Sequence, residues 1–151
     1  MFRGSSYHTI DAKGRIMLPP RFRDIIKLSD VDAVMITGMD GGLVGYTLYA
    51  WKKIEEKFES LSRTSDPLRR FRRFFIGNAS KCMLDKQGRI LIPQTLRDYA
   101  GLENLEKDTV LVGVLKNFEI WSKSRLEEQN ALIETDKQKE EVREEIANLG
   151  L

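Results

Sequence analysis

Apolar and polar positions alternate in short runs along most of the chain, and the runs come in two matching sets. SYHTI (Ser6 to Ile10) and RIMLP (Arg15 to Pro19) in the first half answer to KCML (Lys81 to Leu84) and RILIP (Arg89 to Pro93) in the second. A period of two predicts half-buried strands. VMIT and LVGY in the first half, and VLVGVL and FEIW in the second, are rich in β-branched and aromatic residues and predict two further strands each. PPRFRDII and PQTLRDYAG open on proline, which predicts a short helix after each motif, and Gly101 is a natural stop for the second. Between the halves, Trp51, Ile54, Phe58 and Leu61 fall at i, i+3, i+7 and i+10 opposite Lys52, Glu55, Glu56 and Glu59. That spacing predicts an amphipathic helix. A second one is expected over LRRFRRFFIG, capped by Asp66, started by Pro67 and ended at Gly77. Near the end, SRLE (Ser124 to Glu127) reads as a capping box, and Val142, Ile146 and Leu149 give a C-terminal helix an apolar seam.

The two sets are one sequence written twice. DAKGRIMLPPRFRD, Asp11 to Asp24, returns as DKQGRILIPQTLRD, Asp85 to Asp98, at a constant offset of 74. The offset puts Gly14 on Gly88, Arg15 on Arg89, Pro19 on Pro93 and Arg23 on Arg97. After one inserted residue, Gly38 falls on Gly113 and Leu43–Tyr46 on Phe118–Trp121. A repeat this long is a duplicated domain rather than a solenoid unit. The boundaries expected are 5–52 for the first repeat, 53–80 for a basic helical connector, 81–124 for the second repeat and 125–151 for a C-terminal helix. Each motif reads as a hairpin. Asp11 or Asp85 accepts from amides two residues on, and Gly14 or Gly88 takes the positive φ that the bend needs. Arg15 or Arg89 follows immediately.

Composition narrows the chemistry. The 151 residues, 41% of them hydrophobic, are enough for one ordinary domain or two small ones. Cys82 is the single cysteine, which rules out an intrachain disulfide and a cysteine-rich zinc site and fits a reducing cytoplasm. No leader pattern and no run of eighteen apolar residues occurs, so a soluble protein without a membrane partner is expected. His8 is the single histidine, no phosphate-cradling glycine loop follows a strand into a helix, and metal-ligand spacing is absent. Neither an enzyme nor a cofactor is expected.

Charge is segregated although the net is only +2. Residues 1–27 carry Arg3, Lys13, Arg15, Arg21, Arg23 and Lys27 against Asp11 and Asp24. Residues 62–81 carry Arg63, Arg69, Arg70, Arg72, Arg73 and Lys81 against Asp66 alone, while the last thirty lean the other way, with eight acids against Lys123, Arg125, Lys137, Lys139 and Arg143. A polyanionic partner follows from this distribution. Two readings stay open for each basic feature. The RRFRRFF arginines either neutralise phosphates or sit solvated on a helix that buries Leu68, Phe71 and Phe75. Arg15 and Arg89 either project toward successive grooves of DNA or pair with Asp11 and Asp85 across their own turns.

The pattern D-x-K/Q-G-R-I-x-x-P-x-x-x-R-D, a turn into a strand into a proline-led helix, resembles the AbrB/SpoVT family of swapped-hairpin DNA-binding domains. The likeness spans essentially the whole chain, with MFRG at the start, RRFRRFFIGNA between the copies and FEIW late in the second. It implies a β-rich α+β fold, in which two tandem swapped-hairpin (double-split β-barrel) repeats form an intramolecular pseudo-dimer, with connecting helices and a C-terminal helix. It also implies a cytoplasmic, nucleoid-associated regulator that forms ring-like homo-oligomers and binds direct repeats of double-stranded promoter DNA. Such a regulator would act upstream of its own operon, in the division and cell-wall gene cluster, chiefly as a repressor. Carried onto matching positions, Lys13, Arg15, Lys86 and Arg89 face DNA, and Arg3, Arg69, Arg70, Arg72 and Arg73 are further candidates for DNA or subunit contact. The copies differ at one telling place, where Lys13 stands before the first glycine and Gln87 before the second, with Lys86 one place earlier. An oligomeric scaffold whose basic surfaces meet acidic proteins is the rival reading.

Overall fold

The computed structural model describes residues 1–29, 31–102 and 108–151. The first half runs β1 (Phe2–Thr9), β2 (Arg15–Met17), α1 (Pro20–Ile26), β3 (Ala33–Met39), β4 (Gly42–Thr47), α2 (Leu48–Glu59) and α3 (Asp66–Gly77). The second runs β5 (Ser80–Met83), β6 (Arg89–Leu91), α4 (Gln94–Ala100), β7 (Asp108–Leu115), β8 (Phe118–Ser122), α5 (Lys123–Asn130), α6 (Ile133–Asp136) and α7 (Glu140–Asn148).

The strands build one six-stranded antiparallel sheet in the order β1-β7-β8-β4-β3-β5 and a two-stranded ribbon of β2 with β6. That order is a palindrome in the repeat. β1 of the first half lies on β7 of the second through eight residue pairs, and β5 of the second lies on β3 of the first. The halves meet at β4 and β8, where Val44 faces Glu119 and Leu43 and Gly45 face Ile120 and Phe118, so the approximate twofold passes through that pair. The α+β architecture of two interlocked repeats expected from the sequence is therefore present.

The hairpin expectation needs one correction. The turn forms in each copy, but its flanking strands do not ladder with each other: β1 and β2 belong to different sheets, and β2 pairs instead with β6 of the other repeat. The reason is the period-two pattern. Pairing β2 with β6 buries Ile16 and Ile90, which face each other, together with Leu18 and Ile92. Leu18 N–H donates to the Gly88 carbonyl and Ile92 N–H to the Gly14 carbonyl, an exchange the repeat makes twice.

Alternation across the six-stranded sheet separates two cores. Val34, Ile36, Leu43, Leu111, Phe118 and Ile120 point to one face, where the ribbon, α1 and α4 close the main core. Phe2, Phe22 and Phe118 meet there at ring distances of 5.2 to 5.5 Å. Each such pair adds about 0.5–1.5 kcal/mol beyond its buried area. Met35, Met39, Val44 and Tyr46 point to the other face, which α2 and α3 cover with Trp51, Phe58 and Phe75. Thr37, also fully buried, donates its hydroxyl to the Phe75 carbonyl at 2.6 Å and ties α3 to β3.

Helix ends differ from expectation by a residue or two. Ser65 rather than Asp66 caps α3 by accepting from Leu68 N–H, and Ser122 rather than Ser124 caps α5 by accepting from Arg125 N–H. In each case a serine one or two residues earlier in the chain supplies the accepting hydroxyl. Asn78, not Gly77, is the C-cap of α3, and Gly101 ends α4 at φ +68 as its left-handed position requires. The C-terminal segment, expected as one helix, is three short ones in which no residue is buried.

Candidate nucleic-acid interface

Each turn is organised by one carboxylate. Asp11 Oδ1 accepts from Lys13 N–H and Arg15 N–H, both at 2.9 Å, and its Oδ2 accepts from Arg15 Nε at 2.7 Å. The second copy repeats this. Asp85 Oδ1 accepts from Gln87 N–H and Arg89 N–H at 2.9 Å, and Oδ2 from Arg89 Nε at 2.8 Å. The bond from the Arg15 amide, then that from the Arg15 side chain and that from the Lys13 amide, outweigh desolvation and hold the Asp11 carboxyl at about 2. The same donors lower Asp85. Both carboxylates are ionised throughout the neutral range and stiffen their loops.

Glycine completes the bend. Gly14 and Gly88 sit at φ +89 and +81, as the turn pattern anticipated. Their missing side chains also make room for a residue whose role the sequence left unread. A Cβ on Gly14 would lie 2.6 Å from Arg97 Cζ, and one on Gly88 would run into the Arg23 side chain. Arg97 comes from α4 of the second repeat and braces the first turn, while Arg23 from α1 of the first braces the second. Arg97 is held by donation from Nε to the Ile92 carbonyl at 3.0 Å. Arg23 reaches the Gln87 carbonyl at 3.4 Å, and its buried Nε has no acceptor among the described residues, so the second brace is looser. The available signal was that Arg23 and Arg97 stand at equivalent positions of the two copies.

The ribbon then brings the two arginines together. Register places Arg15 opposite Leu91 and Met17 opposite Arg89, so Arg15 and Arg89 are diagonal neighbours on the face away from Ile16 and Ile90. Diagonal positions on such a face are about 7–8 Å apart, within reach of one continuous surface. Both side chains are about a third exposed, and Met17 and Leu91 stand exposed between them. The turns lie at opposite ends, with exposed Lys13 at one and exposed Lys86 and Gln87 at the other. The pairing of each arginine with its own aspartate, one of the two readings open for it, thus occurs, and it occupies only Nε. Among the described residues the terminal nitrogens of Arg15 make no hydrogen bond, whereas Arg89 Nη2 lies 3.5 Å from Gln87 Oε1. An arginine fixed along its Nε edge presents its two Nη groups end-on as a fork, a shape that matches guanine O6 and N7 or a phosphate.

The other basic candidates lie elsewhere. Arg3 is exposed on β1. Arg69, Arg70, Arg72 and Arg73 are exposed on α3, which covers the opposite face of the six-stranded sheet from the ribbon, so they do not join its surface. Arg69 pairs with Asp66, and Arg72 lies over the Phe58 ring. Of the three residues expected beneath this helix, Phe75 is buried, Leu68 half-buried and Phe71 37% exposed. Among the described residues no cluster of three or more histidine, cysteine, aspartate or glutamate side chains could hold a metal, and no helix is long and apolar enough to cross a membrane.

Comparison with known proteins agrees with the duplication. Residues 1–74 and 75–146 each match the profile of a family described as "MraZ protein, putative antitoxin-like". The chain is 55% identical to a protein of Desulforapulum autotrophicum and 52% identical to one of Desulfosudis oleivorans, each over 151 residues and the full length of both chains. It is 46% identical to one of Moorella thermoacetica over 128 residues, 85% of each chain. All three are named transcriptional regulator MraZ, a regulator's name rather than an enzyme's.

Proposed function

The chain belongs to the MraZ family of transcriptional regulators, and we propose that it acts by reading DNA with the outer face of the β2–β6 ribbon. The observation that carries this reading is the pair of arginines held by Asp11 and Asp85 on one two-stranded ribbon. A two-stranded ribbon fits the major groove of B-form DNA, and a fork of arginine nitrogens is its commonest specific probe of guanine. Lys13 and Lys86, at the two ends, meet flanking phosphates and set the register. The two tips differ in detail: the first sets Lys13 beside its glycine under the tighter Arg97 brace, whereas the second has Gln87 there, Lys86 one residue earlier and the looser Arg23 brace.

The target is a set of direct repeats in the promoter of the protein's own operon in the division and cell-wall gene cluster, and the usual outcome is repression. Copies of the chain assemble into a ring, so that several modest contacts become effectively intramolecular once the first is made. The work is done in the cytoplasm, at the nucleoid.

A gel shift on the upstream DNA and on scrambled DNA of equal length, repeated over a salt series, tests this. A regulator prefers the native sequence and weakens steeply with salt. Arg15→Ala, folded as judged by circular dichroism, is expected to lose about 1–3 kcal/mol of binding and to relax preference at one base position. Unchanged affinity and unchanged preference would remove Arg15 from the interface.

A further inference from the structure

We propose that α7 of one copy docks into the groove between α2 and α3 of the next, so that the arginine-rich segment receives a subunit rather than a second stretch of DNA. This deepens the self-association in the function proposed above and rests on it.

The groove is built but unfilled. Ile54, Lys57, Phe58 and Leu61 line an apolar hollow of about 270 Å³ on α2, and Leu61 and Phe71 at its margin are 44% and 37% exposed. Phe58 packs on Phe71 and Phe75 at 6.4 and 6.2 Å, so the floor is rigid and aromatic. Lys57 stands at its rim, and Arg72 lines the adjoining cleft between α2 and α3 with Glu55 and Glu59. Together α2 and α3 carry seven basic residues against four acidic ones.

The chain also holds a ligand of complementary kind. α7 has Glu140, Glu141, Glu144 and Glu145 against Arg143, and among the described residues none of the four glutamates forms an ion pair. Val142 and Ile146, both half-buried, and Leu149 at the C-cap follow at i, i+4 and i+7 on one side, yet no residue of α7 is fully buried and Leu149 is 74% exposed. A nine-residue helix is marginal in water without a surface to pack on.

The duplication shows what is missing. An offset of 75 lays α7 on α3, with Ile146 on Phe71 and Leu149 on Phe74. In the first half that helix lies on the sheet, and Phe75 is buried. In the second half the equivalent helix keeps Ile146 at the Phe71 position, has Arg143 and Gly150 where α3 has Leu68 and Phe75, and buries none of its residues. Within one chain both surfaces are only partly covered, so the seam is completed by another copy. The surfaces that meet are different ones, which makes the contact head-to-tail, the kind that closes into rings.

Cysteine crosslinking on the full-length chain tests this. Leu61→Cys and Leu149→Cys are made separately, mixed and mildly oxidised. The native Cys82 adds no background, because it is 4% exposed and burial pushes its thiol up to about 11. The mixture is expected to give a covalent dimer that neither variant gives alone, and the double variant a ladder of multimers on a non-reducing gel. A monomeric wild type by native mass spectrometry at all concentrations would overturn self-association itself. Multimers without the mixed crosslink, or a double variant that closes only within its own chain, would overturn the docking and leave self-association standing. Arg72→Glu with Lys57→Glu should weaken assembly at least tenfold, and mixing with Glu141→Lys with Glu144→Lys should restore it. If the α3 arginines instead contact DNA, Arg70→Ala with Arg73→Ala lowers the salt slope by about two and leaves the mass unchanged, which would also overturn the proposal.

Discussion

Replacing Gly14 by alanine adds one methyl group and probes the bend and its brace together. At φ +89 an L-residue is penalised by about 1–2 kcal/mol. The new Cβ would sit 2.6 Å from Arg97 Cζ, so the guanidinium must leave. With it goes the Nε donation to the Ile92 carbonyl at 3.0 Å. A bond from a charged donor contributes about 1.5–3 kcal/mol, reduced here to about 1–2 because Arg97 is partly exposed. The sum is about 2–4 kcal/mol, which at about 2–4 °C per kcal/mol for a chain of this size is a fall in Tm of about 5–15 °C. Gly77→Ala is the control, since Gly77 lies at the end of α3 without a positive φ and with nothing within 4 Å of a new Cβ, so its Tm should hold or rise slightly. Differential scanning calorimetry reads both values. Amide spectra add a sharper reading, because Gly14→Ala should move Ile92 and Arg97 in the other repeat. A Gly14→Ala Tm within a degree or two of wild type, or an equal loss in Gly77→Ala, would refute the account of the brace.

Thr37→Val keeps shape but leaves the Phe75 carbonyl buried without its 2.6 Å donor, and is expected to lower stability by about 1–3 kcal/mol in a urea titration. The folded Asp11 carboxyl lies below its unfolded value of about 3.9, so its stabilisation is complete above that pH and is lost as pH falls through about 2. Asp11→Asn should accordingly be less stable than wild type at pH 7 and lose that difference near pH 2, with the carboxyl carbon shift of Asp11 titrating at about 2. A fragment of residues 1–74 alone is expected to be unfolded by circular dichroism and to fold on mixing with 75–151, because β1 and β3 take their ladder partners β7 and β5 from the second half.

The sequence carried the turns in detail and the pairing poorly. Asp, Gly and Arg at fixed spacing determine a loop by local bonds, and all of those bonds are within five residues. Strand partners are set by burial across long separations, and a pattern that buries Ile16 against Ile90 looks the same locally as one that folds back on Ile10. The braces were hidden for the same reason: Arg97 and Gly14 are 83 residues apart, and only the fold puts one over the other. Which face of the sheet α3 covers, and so whether its arginines share the ribbon's surface, is a tertiary fact that charge alone does not encode.

The crossing also explains why two copies in one chain differ from two chains with one copy each. In a homodimer the twofold is strict, so both turns carry the same residues and both braces have the same strength. Joining the repeats keeps the geometry, with Leu18 on Gly88 and Ile92 on Gly14, while freeing each position to change alone. Lys13 against Gln87, with Ala12 against Lys86, shifts the lysine by one residue, and Arg97 holds its turn more firmly than Arg23 holds the other, so the two ends are no longer alike. A symmetric ribbon reads a site equally well in either direction and so suits a palindrome. One whose ends differ in lysine placement and rigidity has a direction, and a direct repeat has one too. On the function proposed, the asymmetry of the duplicated motif is what lets every copy in an assembly face its element the same way round.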